Sequence, residues 1–532
     1  MPSQSHADQP SAPPPPPNLL SANPLRWLAI FGPGAVIASL TIGVGELVFS
    51  SRGGAVFGYR LLWYFVLVLL LKWVLVFASA RHIVLTGAHP FQRAMELPGA
   101  RGWFPMVLFL LALPCFPIWV CFHAGTLGTL VSELLGTRTA LHGGAYLLWG
   151  MAILVGLLVL SFTGGYKALE RIQLVIVLLM LGAVVVAVFF VHLDWLGFAK
   201  GLFIPQSLEY PPWINSYPEI ASRPVWVELA TYVGVIGGSS YDYLAYVSYL
   251  RDKRWGHAGL RVIPTASLNS AGHESQCATR CWLRAPLIDC TLSFLAVLVF
   301  VAVFVGLGSA VLGPQHKVPA GTNLLTLQAE FVVHPWLKHL YFAGAFLAVL
   351  GTLYGTIEVA PTIFRELLMA FDADQAPRLQ PQLRLWAVAW VGAGGLIVLL
   401  ASLAFHLAKG SAGATTPPAL IAILTPANLF TGVLGCGLVC ALNLWMDRRF
   451  LSANWRMPWP LGVLSFVAAV VFLGLGLKGY WDHSGWAALC ILAGTVGLGW
   501  IGARVVAKFL ASPSAAPSAS QAAEVDSHLS RQ

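Results

Sequence analysis

The chain is 532 residues long, 57% hydrophobic and only 10% charged, with a net charge of +9. A soluble domain carries about 25% charged residues, so the composition excludes an ordinary soluble enzyme or nucleic-acid-binding module. It defines a multi-pass membrane protein, whose length counts spans and not soluble domains.

Residues 1–24, with the run SAPPPPPNLLSANP, are polar and Pro-rich and are expected to form a disordered tail. Apolar stretches of about 20 residues then place spans near 25–50, 59–80, 104–134, 143–163, 170–193 and 226–249. Six more fall near 287–312, 338–363, 385–406, 418–445, 459–479 and 485–508. That is about twelve spans, with eleven as the alternative. Residues 511–532 read as a second disordered tail. Many of the 20 Trp stand near span ends, as an interfacial belt requires. Cys115, Cys121, Cys290, Cys436, Cys440 and Cys490 lie in apolar segments and read as small reduced hydrophobes, not as a disulfide scaffold. With the N-terminus inside, the inner loops carry most of the 31 Lys and Arg, which satisfies the positive-inside rule. Both termini are therefore expected in the cytoplasm, and the protein in the plasma (inner) membrane.

Two spans are broken at their centres. Span 1 reads GPGAVIASLTIGVGELVFSS, with Gly43-Val44-Gly45-Glu46 inside it. Span 6 reads LATYVGVIGGSSYDYLAYV, with Gly237-Gly238-Ser239-Ser240 in the same place. Unwound backbone survives at membrane depth only where protein or a cavity satisfies it. Paired breaks in corresponding halves point to a transporter's central site. Five spans separate the two, which predicts a 5+5 inverted repeat, about 25–193 and 226–446, with spans 11 and 12 (451–510) as an appendage.

An acidic side chain at bilayer depth is by default functional. Glu46 opens the half-helix after the first break, and Asp242 stands four residues past Gly238. Either can hold a cation; the plainer roles are capping of free amides for Glu46 and pairing with Lys72 for Asp242. Ser239, Ser240 and Tyr241 add hydroxyls, and the Ile236–Gly238 backbone adds carbonyls. Such oxygen ligands suit hard cations such as Mg²⁺, Ca²⁺ or Mn²⁺. Glu358 near the inner end of span 8, Asn428 at the start of span 10 and His123 in span 3 are weaker candidates. For Glu358 the alternative is an interfacial ion pair, and for Asn428 a bond to a neighbouring helix. In the loop 251–285, His273, Cys277 and Cys281 carry zinc-type ligands at loose spacing. No phosphate-binding Gly-rich loop with its Lys-Ser/Thr appears, which argues against an ATP-driven pump. No nucleophile-and-base constellation appears either, so no enzyme and no bound cofactor is expected.

The run GPG…FGYRLLW around the first break resembles the first span of the Nramp divalent-metal transporters. The span 6 break, GLFIP before it and DRRF after span 10 fit the same frame, over roughly 25–450. The resemblance implies an all-α LeuT-type fold with broken helices 1 and 6, a substrate site at Gly43, Gly45, Glu46 and 236–242, and a divalent cation as cargo. The functional motifs depart from the family. Where it has Asp-Pro-Gly-Asn, this chain has Gly43-Val44-Gly45-Glu46; where it has Met-Pro-His-Asn, Gly238-Ser239-Ser240-Tyr241 aligns. The span 3 acids linked to proton movement align near Trp119 and Phe122, so little proton coupling of the ordinary kind is expected. Loss of the Met ligand resembles the magnesium-transporting relatives. The leading expectation is thus a secondary transporter of a divalent cation, Mg²⁺ or Mn²⁺, with the bilayer and the cation as partners. A small organic solute on the same fold, or a non-transporting sensor, are the alternatives.

Overall fold

A computed structural model describes residues 12–30, 32–34, 42–163, 182, 186, 188, 191–260, 262–332, 334–373, 376–410 and 420–511. The expected span 5 falls almost wholly outside these residues, as do 35–41 of span 1 and the second tail beyond 511. The described secondary structure is helical throughout.

Span 1 resumes after its break as a π turn, Gly45–Phe49, and an α-helix, Ser50–Phe57. It therefore runs past the expected end near residue 50. The cause is Arg52, whose charge ends the hydropathy run but not the helix. Its guanidinium is buried against the Glu228 carboxylate and also donates to the Pro319 carbonyl. A charge at this depth is tolerable only when so paired.

The remaining spans follow the apolar runs. Spans 2, 3 and 4 are Leu62–Thr86, Trp103–Leu134 and Ala145–Thr163. Spans 7, 8 and 9 are Arg284–Leu307, Pro335–Phe371 and Ala376–Gly410. Span 10 has an α-helical start, Leu420–Asn428, a π turn, Leu429–Leu434, and an α-helix, Gly435–Phe450. Trp459–Ala511 is one continuous helical run except at Gly485 (φ 56°, ψ −136°), which divides it into spans 11 and 12. Span 11 packs onto span 10 and span 12 onto span 3. Among the described residues, eight helical stretches are long and apolar enough to cross a membrane. The halves of span 6 are too short to qualify alone, and spans 11 and 12 are joined in one of the eight.

Exposed Trp336, Trp459 and Trp486 stand at helix ends, where amphipathic rings prefer the lipid–water boundary. Lipid is as apolar as leucine, so close packing and internal polar bonds hold such helices together. Phe49, Phe57 and Phe65 meet Tyr232 edge-on, tying spans 1, 2 and 6. At the C-terminal ends of spans 6 and 8, Arg251 and Arg365 converge on the buried Glu366. Residues 12–23, expected as part of the first tail, include a short helix, Pro17–Leu20, with Leu19 buried. The indole of Trp282 donates to the Pro13 carbonyl at 2.6 Å.

Candidate functional site at the two broken helices

Span 6 is interrupted for a local reason. The helix Val225–Val235 ends at Ile236, which turns to extended backbone. Gly237 (φ 82°) and Gly238 (φ 96°) follow in the left-handed region, which costs residues with a Cβ roughly 1–2 kcal/mol each. Ser239 then serves as N-cap for the second half, Ser240–Asp252. Asp242 at the third position closes a capping box: Ser239 N donates to its Oδ2 at 2.7 Å.

The three unwound carbonyls are all engaged. Lys72 Nζ, from span 2, donates to Ile236 O at 2.7 Å and to Gly238 O at 2.6 Å. Tyr243 Oη donates to Gly237 O at 2.5 Å. Lys72 is fully buried. Its ammonium therefore goes to the backbone of the break, not to Asp242 as the pairing considered from sequence had it.

Glu46, also fully buried, joins the two breaks. Its Oε1 accepts from Gly237 N at 3.0 Å and its Oε2 from Gly43 N at 3.4 Å. The amide-capping role weighed from sequence is thus present, extended across to the other broken span. At Gly43, a Cβ would run into the Thr352 side chain of span 8.

Between the breaks lies a cavity of about 50 Å³. Gly45, Gly238, Ser239, Tyr241 and Asp242 line it, as does His123. The sequence candidates Gly43, Glu46, Ile236, Gly237 and Ser240 stand behind this lining, not in it. Three threonines not singled out from sequence also line it, Thr352 and Thr356 from span 8 and Thr431 from the π turn of span 10, as do Cys115, Phe116, Gly234 and Val235. Trp119 also lines it, donating through its indole to Thr431 Oγ1 at 3.0 Å. The His123 ring stacks on Trp119, and its buried Nδ1 has no hydrogen-bond partner. The signal for these residues was periodic: Thr352 and Thr356, like Trp119 and His123, are four apart and share a helix face.

The weaker candidates take their plainer roles. Glu358 pairs with Arg384 at 2.7 Å and accepts from Ser161 Oγ at 2.9 Å. Asn428 donates to the Thr231 carbonyl of span 6 at 3.0 Å. His273 Nδ1 and Cys277 Sγ lie 3.6 Å apart on an exposed helix, and Cys281 is a free thiol. Among the described residues no three His, Cys, Asp or Glu side chains converge to hold a metal. The cavity therefore offers a cation one carboxylate, that of Asp242, with hydroxyls, an imidazole nitrogen and the Cys115 thiol in the same wall.

A helical membrane protein whose two interrupted spans meet around a small cavity with a carboxylate in its wall has the architecture of the LeuT-type secondary transporters. The fold is shared with the manganese transporter of Eremococcus coleocola, with a TM-score of 0.63 at 16% identity over 90% of this chain and 94% of that one. The family model described as "Natural resistance-associated macrophage protein-like" matches residues 34–482, running on through span 11. The chain belongs to the Nramp family. Its curated relatives include the divalent metal cation transporter MntH of Listeria monocytogenes, 25% identical over 42% of this chain and 45% of that protein. MntH of Chromohalobacter salexigens is 31% identical over 32% of this chain and 36% of that protein. The chain thus spans less than half the length of the curated relatives it matches.

Proposed function

We propose that this protein moves a divalent cation, Mg²⁺ or Mn²⁺, across the membrane by alternating access, binding it in the cavity between the broken spans. The observation that carries this reading is the cavity itself, at about 50 Å³ with a carboxylate in its wall. One water needs roughly 10–15 Å³ of such space, so the cavity suits an ion with a few waters. Pockets for small organic ligands run to about 300–1,000 Å³. Asp242 supplies the charge, and Ser239, Thr352, Thr356 and Thr431 supply hydroxyl oxygens directly or through water. A hard ion that keeps part of its hydration fits that donor set better than a soft one. His123 Nδ1 and the Cys115 thiol in the same wall are softer groups, which favour Mn²⁺ over Ca²⁺.

Glu46 stands behind the cavity wall and Lys72 behind the span 6 carbonyls, so the ion meets the balance of two carboxylates and one ammonium. The Lys and Arg distribution supports cytoplasmic termini and an inner-membrane location. Uptake by the full chain in proteoliposomes tests the proposal, with Mg²⁺, Mn²⁺, Ca²⁺ and a panel of amino acids and nucleobases offered under imposed gradients. Accumulation of a divalent ion is the expected result. Accumulation of an organic solute with no divalent flux would overturn it.

A further inference from the structure

The ammonium of Lys72 has a position that the proposed cargo does not use. It is fully buried, it comes from span 2, and it bonds two carbonyls of the span 6 break, Ile236 O and Gly238 O, at 2.7 and 2.6 Å. Gly237 O, between them, is taken by Tyr243 Oη. These carbonyls close the C-terminal end of the half-helix Val225–Val235, the negative pole of its dipole. Glu46 and Asp242 both lie close enough to attract the Lys72 charge. A negative helix end, backbone carbonyls outside the helical ladder and two nearby carboxylates are what a bound monovalent cation needs, and unwound spans of transporters provide such sites.

We propose that Lys72 is a tethered cation, built into the chain at a position where the break would otherwise bind a free monovalent ion. The ammonium holds the two carbonyls, neutralises part of the carboxylate charge and keeps Gly237 and Gly238 in their left-handed turn. Loading of this position then needs no ion from solution. The break carries a latent site for Na⁺, K⁺ or a small alkylammonium, which appears only when the lysine is shortened. Gly238 and Asp242 also line the cavity, so the latent site adjoins the proposed divalent site across the break, and the two differ in the carbonyls of Ile236 and Gly238 that Lys72 holds.

The test is thermal unfolding of the purified full chain and of Lys72→Ala and Lys72→Met in titrations with NaCl, KCl and ethylammonium chloride. Choline chloride holds the ionic strength constant. The wild type is expected to show the same Tm in all four salts. Lys72→Ala, which opens space beside the carbonyls, is expected to have a lower Tm that ethylammonium or Na⁺ restores in a saturable way while choline does not. Lys72→Met keeps the volume and removes the charge, so it is expected to lose Tm without rescue. An unchanged Tm in both variants would overturn the proposal, and so would a loss in Lys72→Ala that no small cation relieves. The readout is stability in monovalent salts, so its failure is distinct from a failure of divalent uptake.

Discussion

Replacing Glu46 by Gln separates a structural clamp from a cargo ligand. The carboxylate accepts two backbone amides, Gly237 N at 3.0 Å and Gly43 N at 3.4 Å, with no exposure to solvent. Glutamine has the same shape but only one oxygen. When that oxygen faces Gly237 N, the side-chain NH₂ faces Gly43 N, donor against donor. The cost is one charge-assisted bond weakened, worth about 1.5–3 kcal/mol for the charged form, plus a buried donor left unmatched at about 1–3 kcal/mol. The Gly43 contact is long, so the lower half of the combined range applies, about 2.5–4 kcal/mol. Lys72 also loses one of its two carboxylate neighbours. Glu46→Gln should therefore unfold at a clearly lower temperature in detergent, with divalent uptake reduced in step with the folded fraction. Wild-type Tm with uptake abolished would refute this reasoning, because it would place the charge on the cargo and not on the amides.

Three further outcomes follow from particular contacts. Gly43→Asp restores the family's acid but drives a Cβ into Thr352; it should lower Tm, and Thr352→Ala in the same chain should recover most of the loss. Equal Tm values for the single and double variants would contradict this. His89, just beyond span 2, has its imidazole pKa held down from 6.5 to about 4, chiefly by burial, with the Glu366 carboxylate opposing and Arg251 reinforcing. The neutral ring uses both nitrogens, Nδ1 accepting from Phe91 N and Nε2 facing Leu244 O. Because the unfolded ring protonates first, this stability is fully present above pH 6.5 and is lost as pH falls toward 4, on the order of 3 kcal/mol. A His89→Gln variant should show a shallower fall of Tm over that window, and an unchanged slope would exclude His89 as the cause. In Asp242→Asn, the side-chain oxygen can still cap Ser239 N, so Tm should stay within a few degrees of wild type while divalent uptake falls at least tenfold. A large Tm loss would show that the charge serves the cap.

The fold was legible because membrane spans announce themselves by length and hydropathy, and because the glycine breaks stood in corresponding positions of two halves. Arg52 hid the end of span 1, since a residue-by-residue scale cannot know that Glu228, far away in the chain, receives the guanidinium. The site was half legible. Gly45, Gly238, Ser239, Tyr241, Asp242 and His123 are brought to one cavity, and the breaks themselves identified most of them. Glu46 was visible as a buried acid, but the direction of its carboxylate depends on Gly237 of the other half. Lys72 was visible only as a lone charge in span 2; its acceptors are backbone atoms, which no sequence pattern marks. The threonines of spans 8 and 10 carried a helical period but no charge, and hydroxyls in apolar helices more often bond their own backbone four residues back. Thr352 and Thr431 do that as well, to Ala348 O and Ala427 O.

The most direct measurement of the central claim is calorimetric titration of Mn²⁺ and Mg²⁺ into the purified full chain, set beside Asp242→Asn. Binding of at least one of the two ions to the wild type, with affinity lost or reduced at least tenfold in the variant, is the expected result. Equal affinity in the two proteins, or no divalent binding to a folded wild type, would contradict a cation site in the cavity between the broken spans.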